Sequence, residues 1–390
     1  MTRPLRLYLL AGEASGDRLG AGLMQALRVE VPEVTFVGVG GRMMAAEGLV
    51  SLFDIADLNV MGIVEVVPRL PMLMRRIRET VGDVLRAAPD ALITIDSPSF
   101  GLRVAERVRG KSIATRTIHY VAPSVWAWRP GRAREMARYI DHVLALLPFE
   151  PPYFAVAGMR SDFVGHPVAA HPVASAAEIA AFRTDAGIGT EQPLLLMAPG
   201  SRSGEVRHLM PAFAETVARV TERHPDLRVV IPVAETVVAE VTAAVIALGR
   251  EPVLVLPDAG EAAKRAAYAA ADCALVASGT VTLEMAAAGT PMVSAYKTSW
   301  LTAAIARRLL RVDTANLVNL VDGGKVVPEF LQDDCRADLI APAVLALLEI
   351  PTERIPQVAA FGGVMAALGR GGEPPSARAA RSVLEALGRG

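Results

Sequence analysis

The sequence predicts two α/β domains, each a parallel sheet wound with helices on both faces. Three observations carry this. Apolar runs of strand length alternate with helical stripes. The alternation runs to about residue 170 and then restarts. Of 390 residues, 52% are hydrophobic but only 5% aromatic, so Ala, Val and Leu build a core suited to α/β layers rather than to a β-sandwich. That length also exceeds what one core usually organises.

In the first half, LRLYLLAG reads as a buried strand, and GEASGD as the turn after it. Leu19, Leu23, Met24 and Leu27 form a helical stripe behind that turn. TFVGVGG (35–41), ALITID (91–96), TRTIHYVAP (115–123) and HVLALLP (142–148) give four more strands. Helical segments, such as 101–109 and 131–139, lie between them. Residues 60–85 read as a helix with Leu70, Leu73, Met74, Ile77, Val81 and Val84 on one face and Arg75, Arg76, Arg78 and Glu79 on the others. Such a face suits either a membrane surface or packing on the sheet.

FVGHPVAAHPVAS (163–175) carries the boundary, placed near 170. The second half repeats the pattern with five strand-bearing segments: PLLLMAPGSRSGE (193–205), 227–234, 252–258, 271–278 and 291–296. Short helices at 337–349, 356–368 and 376–388, separated by Pro and Gly, close the chain and can pack on either domain.

Composition excludes some functions. A net charge of −1 gives no bulk electrostatic case for nucleic acid. Cys273 and Cys335 make no disulfide framework, so the chain reads as cytosolic. No apolar stretch reaches the roughly 18 residues of a membrane span, leaving only a peripheral membrane role. The six histidines lack metal-ligand spacing, and no Asp-x-Asp pair is present, so neither metal nor cofactor is expected. GVGGRMMAAEG (38–48) fails as a dinucleotide fingerprint, because Met43 stands at the third glycine position and the motif follows the second strand rather than the first.

Ligands of parallel α/β sheets bind at the carboxyl ends of strands. Four polar turns fall there: Gly12–Asp17, Asp96–Ser99, Gly200–Glu205 and Ser278–Thr280. The last opens SGTVTLEMAAAGTP, a strand–turn–helix unit closed by Gly289 and Pro291. A helix start of this kind offers free backbone N–H groups to a phosphate. Glu284 lies one turn on, suited to sugar hydroxyls. Gly200, Ser201 and Arg202 add a close backbone approach, a cap and a permanent cation; pairing of Arg202 with Glu205 is the structural alternative. Asp96 and Glu13 are the carboxylates placed to act as a base. An Asx turn or helix cap is the competing role for Asp96, and charge at a helix start for Glu13. His119 and His166 read as structural. Together these turns point to a nucleotide or nucleotide-sugar site in an interdomain cleft.

The assembled motifs resemble the lipid-A-disaccharide synthases over most of the chain. The residues that carry this are AGEASGD (11–17), GVGGRMM (38–44), MGIVEV (61–66), IDSPSF (95–100), YVAPSVWAWRPGR (120–132), LPFE (147–150), VGHP (164–167), PGSR with Glu205, SGTVTLE (278–284), YK (296–297) and VVPEFLQ (326–332). The resemblance implies a GT-B fold, two Rossmann-like domains facing across a cleft. It implies an inverting, metal-independent transfer from UDP-2,3-diacylglucosamine to 2,3-diacylglucosamine 1-phosphate, giving a β-1,6-linked disaccharide 1-phosphate and UDP. Asp96 matches the carboxylate the family depends on. Ser15, Gly200, Ser201, Arg202, Ser278, Gly279, Thr280 and Asn319 would hold the UDP diphosphate side, and Glu284 the ribose. Met61, Val64, Leu70, Leu73, Met74 and Ile77 would meet acyl chains or the membrane. The resemblance also implies a peripheral protein on the cytoplasmic face of the inner membrane and a homodimer, with 346–390 packing back on an N-terminal domain, its own or the partner subunit's. The chain departs from the family pattern at Val318, where proline is common, and at Ser99 and Gly101. Another GT-B enzyme, such as a sugar-nucleotide epimerase, and a non-catalytic nucleotide-sugar binder are the rival readings.

Overall fold

The computed structural model describes residues 4–58, 63–129, 131–300, 303 and 312–389, without the side chains of 63–67. The chain divides into two compact units. One holds residues to 170 together with 371–390, the other 171–370.

In the first unit, β1 (Arg6–Ala11), β2 (Thr35–Val39), β3 (Ala91–Ile95), β4 (Arg116–Tyr120), β5 (His142–Ala145) and β6 (Arg160–Phe163) form a parallel sheet in the order β2-β1-β3-β4-β5-β6. Its helices are α1 (Ala14–Glu30), α2 (Arg42–Ala46), α3 (Ile63–Ala87), α4 (Pro98–Arg109), α5 (Gly131–Met136) and α6 (Pro151–Ala155). The central strands are apolar at nearly every position because helices cover both faces. Leu7, Leu9 and Ile93 pack toward α1, while Tyr8, Leu10 and Leu92 pack toward α3 and α4.

In the second unit, the helices are α7 (Ala176–Asp185), α8 (Ser203–Arg223), α9 (Val238–Ala244), α10 (Gly260–Ala270), α11 (Thr280–Ala288), α12 (Leu317–Asp322), α13 (Ala337–Glu349) and α14 (Pro351–Ala367). The strands are β7 (Leu194–Ala198), β8 (Arg228–Pro232), β9 (Val253–Val255), β10 (Cys273–Ala277), β11 (Met292–Tyr296) and β12 (Glu329–Leu331), ordered β12-β11-β10-β7-β8-β9. All pairs are parallel.

Each sheet therefore has six strands, not the five read from sequence. The additions, β6 and β12, are edge strands only partly buried, so they lack the apolar run that marks the others. The C-terminal segment also departs from expectation. Helix α14 stays in the second unit, contacting α11 and α12. Only the last helix, α15 (Pro375–Ala386), packs on the first unit, where Ala379, Ala380, Val383 and Leu384 join the core beside α1.

Helix α3 settles part of the 60–85 reading. Ile77, Val81 and Val84 are sunk in the core under the sheet, so this half of the apolar stripe is ordinary packing. Ile77, 2% exposed, is thus not an acyl-facing residue. Leu73 and Met74 are half-buried at the core's edge, and Leu70 is 40% exposed. Met61 and the side chain of Val64 lie outside the described residues.

Candidate active site

Strand order fixes where each unit opens. In the first sheet β1 and β3 are neighbours whose connections leave in opposite directions, and in the second β7 and β10 are. At such a switch point the loops diverge and leave a crevice at the strands' carboxyl ends. The loops after β1 and β3 carry Glu13, Ser15 and Asp96. Those after β7 and β10 carry Gly200–Arg202 and Ser278–Thr280. All four polar turns singled out from sequence lie at these two points.

The first crevice is built tightly. Gly12 has no room for a side chain, since a Cβ there would lie 2.4 Å from Ser97 Cβ and Oγ. The two turns are thereby pressed together. Asp96 (φ 54°) and Ser97 (φ 42°) both adopt left-handed conformations, each costing on the order of 1–3 kcal/mol for a non-glycine residue. Val121 (φ 79°), just after β4, is a third such residue at the same sheet edge. Asp96 is held by three bonds. Its N–H donates to the Tyr120 carbonyl at 2.9 Å. Its Oδ1 accepts the Ser97 N–H at 2.8 Å and its Oδ2 the Ser15 hydroxyl at 2.7 Å. The carboxylate is partly exposed, with lone pairs left over for a substrate hydroxyl. Ser97, not Asp96, stands at the N-cap position of the helix that follows, without a side-chain cap bond. Glu13 caps α1 by position without a side-chain cap bond and is also partly exposed. Ser15, assigned from the resemblance to the diphosphate, spends its proton on Asp96 instead.

Neighbouring groups were missed in sequence. Asp17 is buried, and its carboxylate accepts the N–H groups of Gly41, Met43 and Met44 at 2.7–3.1 Å. It so ties AGEASGD to GVGGRMM. Glu150, of LPFE, is also buried. It accepts Trp126 Nε1–H at 3.1 Å and the Leu147 N–H at 3.0 Å, tying LPFE to SVWAWR. Burial pushes its pKa up to about 7, against the pull of these donors. His119 is structural: it pairs through Nδ1 with Thr94 Oγ1 at 2.7 Å, and burial lowers its pKa to about 3. A side chain at Gly101 would press on Thr94 Cβ at 3.0 Å, which explains the absence of a larger residue there.

In the second crevice Gly200 (φ 110°) lets the turn close over Glu205, whose Oε2 would stand 2.4 Å from any Cβ. Glu205 accepts the Ser201 N–H at 3.1 Å and one Arg202 N–H at 3.3 Å. Arg202 remains 58% exposed, and an exposed i,i+3 pair is worth only about 0–1 kcal/mol, so a diphosphate can recruit it. Gly279 (φ 145°, ψ −151°) starts α11, whose first N–H groups have no intrahelical acceptor. The Ser278 hydroxyl is committed elsewhere. It donates to Glu329 at 2.8 Å, and Glu329 also accepts the Thr314 hydroxyl (2.6 Å) and the Ala315 N–H (3.2 Å). Glu284 accepts Lys264 Nζ–H at 3.1 Å and the Tyr268 hydroxyl at 3.0 Å. It lines a hollow with His171, Pro172, Lys264, Arg265 and Tyr268.

Asn319 leaves the site. It is 2% exposed, and its amide exchanges both bonds with the Val327 backbone, at 3.0 and 2.9 Å. That pairing uses the side chain to hold α12 against the segment before β12. Val318, where proline is common, donates its N–H to Asn316 Oδ1 at 2.9 Å, a cap that proline would lack.

Comparison with known proteins decides the family. A family profile described as Lipid-A-disaccharide synthetase matches residues 7–364. A lipid-A-disaccharide synthase of Ruegeria pomeroyi is 55% identical, over 99% of this chain and 96% of its own. The chain belongs to the lipid-A-disaccharide synthase family. One of Rhodospirillum centenum is 46% identical over 99% and 95%. A member of this family is a glycosyltransferase acting in lipid A biosynthesis. Among solved structures, a UDP-GlcNAc 2-epimerase from Neisseria meningitidis bound to UDP-GlcNAc superposes with a TM-score of 0.67 at 11% identity, covering 99% of this chain and 100% of that one. A glycosyltransferase from Rickettsia africae gives 0.59 at 10% identity, covering 99% and 98%. These likenesses establish the fold, a GT-B architecture of two Rossmann-like domains.

Proposed function

We propose that the chain joins UDP-2,3-diacylglucosamine to 2,3-diacylglucosamine 1-phosphate, releasing UDP and a β-1,6-linked disaccharide 1-phosphate. The family supplies the reaction; the placement of four polar turns at two switch points supports its assignment to these residues.

The 6-hydroxyl of the acceptor attacks the anomeric carbon of the donor, the bond to UDP breaks, and the centre inverts. The attacking hydroxyl must lose its proton as the bond forms. Asp96 takes it. Its carboxylate is aimed by Ser15 and the Ser97 N–H, so little reorganisation accompanies the transfer. The two left-handed residues at the turn hold that direction at a conformational cost, as strained functional turns do.

Negative charge builds on the departing diphosphate. The start of α11 at Gly279–Thr280 and the Arg202 guanidinium meet it with donors already in place. Glu284, fixed by Lys264 and Tyr268, keeps free lone pairs for the ribose hydroxyls.

The chain works peripherally at the cytoplasmic face of the inner membrane, with Leu70, Leu73 and Met74 of α3 as its apolar contact. No helix among the described residues is long and apolar enough to cross a membrane.

Asp96→Asn tests the assignment. With the protein folded and UDP binding intact, turnover should fall by on the order of 10²–10⁴. A near-wild-type rate would remove Asp96 from the chemistry.

A further inference from the structure

Two arginines after β4 have no task in the scheme above. The segment leaves the sheet beside Asp96, whose N–H donates to Tyr120, the last residue of β4. It is anchored through Trp126 to the buried Glu150 and edge-on to Phe149, with ring centroids 5.1 Å apart. It then turns outward at Trp128, which is 40% exposed. The Arg129 guanidinium lies over the Trp128 ring, 5.1 Å from its centroid. Arg132, three residues on at the start of α5, is partly buried.

Among the described residues no carboxylate lies within 4.0 Å of either guanidinium. Arg76 and Arg109, partly buried in the same unit as Arg132 is, each hold an aspartate. Burial pulls the Arg132 pKa down, and Arg129 adds to this; Tyr139 and Glu135 oppose it, Glu135 from beyond ion-pair distance. The buried His119 feels the Arg132 charge but supplies no anion, being neutral, and its Nε2 has no partner. A partly buried cation without a counter-charge is costly and is usually balanced by an anion from elsewhere.

We propose that Arg129 and Arg132 bind the 1-phosphate of the acceptor. The inference rests on the reaction proposed above. Acceptor hydroxyl and acceptor phosphate hang on one sugar ring, so the phosphate site belongs to the unit that carries Asp96. The donor diphosphate already has its own turn in the other unit. Two guanidinium forks match a phosphate monoester, and stacking on Trp128 holds one of them in orientation before binding.

The test compares two acceptors, 2,3-diacylglucosamine 1-phosphate and its dephosphorylated form, by kcat/KM. The wild type should prefer the phosphorylated acceptor. In Arg129→Ala and Arg132→Lys that preference should shrink by about 10- to 100-fold, the scale of lost charge-assisted bonds, while UDP affinity stays at the wild-type value. Arg129 is exposed, so its variant reads the site even where changes at Arg132 disturb folding. An unchanged preference in folded Arg129→Ala and Arg132→Lys overturns the phosphate site and leaves the reaction standing. No transfer by the wild type to either acceptor overturns the reaction itself.

Discussion

At the scale of single residues, the site depends on carboxylates that aim other groups. Asp17, Glu150, Glu205 and Glu329 each gather donors around a loop at a strand end. Glu150 gives a measurable consequence. Its pKa is raised to about 7 from an ordinary 4.5, burial being the main cause. The folded state therefore holds its proton where the unfolded chain has released it. This stability is fully present below the unfolded value and is lost as pH rises through about 7. Over that window the loss is about 3 kcal/mol, at 1.36 kcal/mol per unit. Glu150→Gln does not ionise and lacks this slope. His119 and His142, held low at about 3 and 4, titrate alike in both proteins and cancel in the difference. Denaturant unfolding of both proteins at pH 5 and pH 8 should show the wild type losing stability relative to Glu150→Gln at the higher pH. A difference independent of pH would mean that Glu150 is ionised throughout. The place of Asp96 at a strand end was legible in sequence, because the apolar run ALITI breaks there at a carboxylate before Ser-Pro. Glu150 and Glu329 were quoted in motifs without a role, because their partners Trp126 and Ser278 lie 24 and 51 residues away. The Val327 partner of Asn319 was hidden for the converse reason: a polar residue near a binding turn looks the same in sequence whether it faces ligand or backbone.

At the scale of elements, the central strands and the turns after them were readable because burial on both faces leaves continuous apolar runs that end in polar turns. β6 and β12 carry no such run: RSDF and EFL are short edge strands with charged residues. Helix α3 shows the limit of periodicity. One apolar stripe serves two purposes, and sequence does not say where one ends. Ile77, Val81 and Val84 are core, whereas Leu70 faces solvent. Leu70→Ser with Leu73→Ser should weaken binding to anionic liposomes while sparing UDP binding. Ile77→Ser should instead destabilise the first unit, by on the order of 3 kcal/mol, the usual cost of truncating a buried isoleucine. Liposome co-sedimentation and thermal unfolding separate the two. Unchanged sedimentation of the double variant would leave α3 with a packing role alone.

At the scale of the whole molecule, the chain is two copies of one plan, each opening at the point where its strand order reverses. The repetition was visible from the restart of the strand pattern after residue 170. The destination of the C-terminus was not, because α13, α14 and α15 are all short amphipathic helices. The first unit holds α15 through the buried Ala379, Ala380, Val383 and Leu384, and through a set of polar contacts made across the sequence. Ser382 donates to Asp162 at 2.6 Å, beside His142. Arg160 pairs with Glu385, and Arg378 donates to the Phe163 carbonyl. Such contacts between β5, β6 and a helix over 200 residues later leave no local trace. The family, the architecture and the two crevices lead to one reaction. Its most direct measurement follows purified protein with UDP-2,3-diacylglucosamine and 2,3-diacylglucosamine 1-phosphate, scoring UDP and disaccharide together. The account predicts one disaccharide 1-phosphate for each UDP, and no UDP release without the acceptor. UDP release or epimerisation of UDP-GlcNAc in the absence of any lipid acceptor, with no disaccharide in its presence, would contradict it.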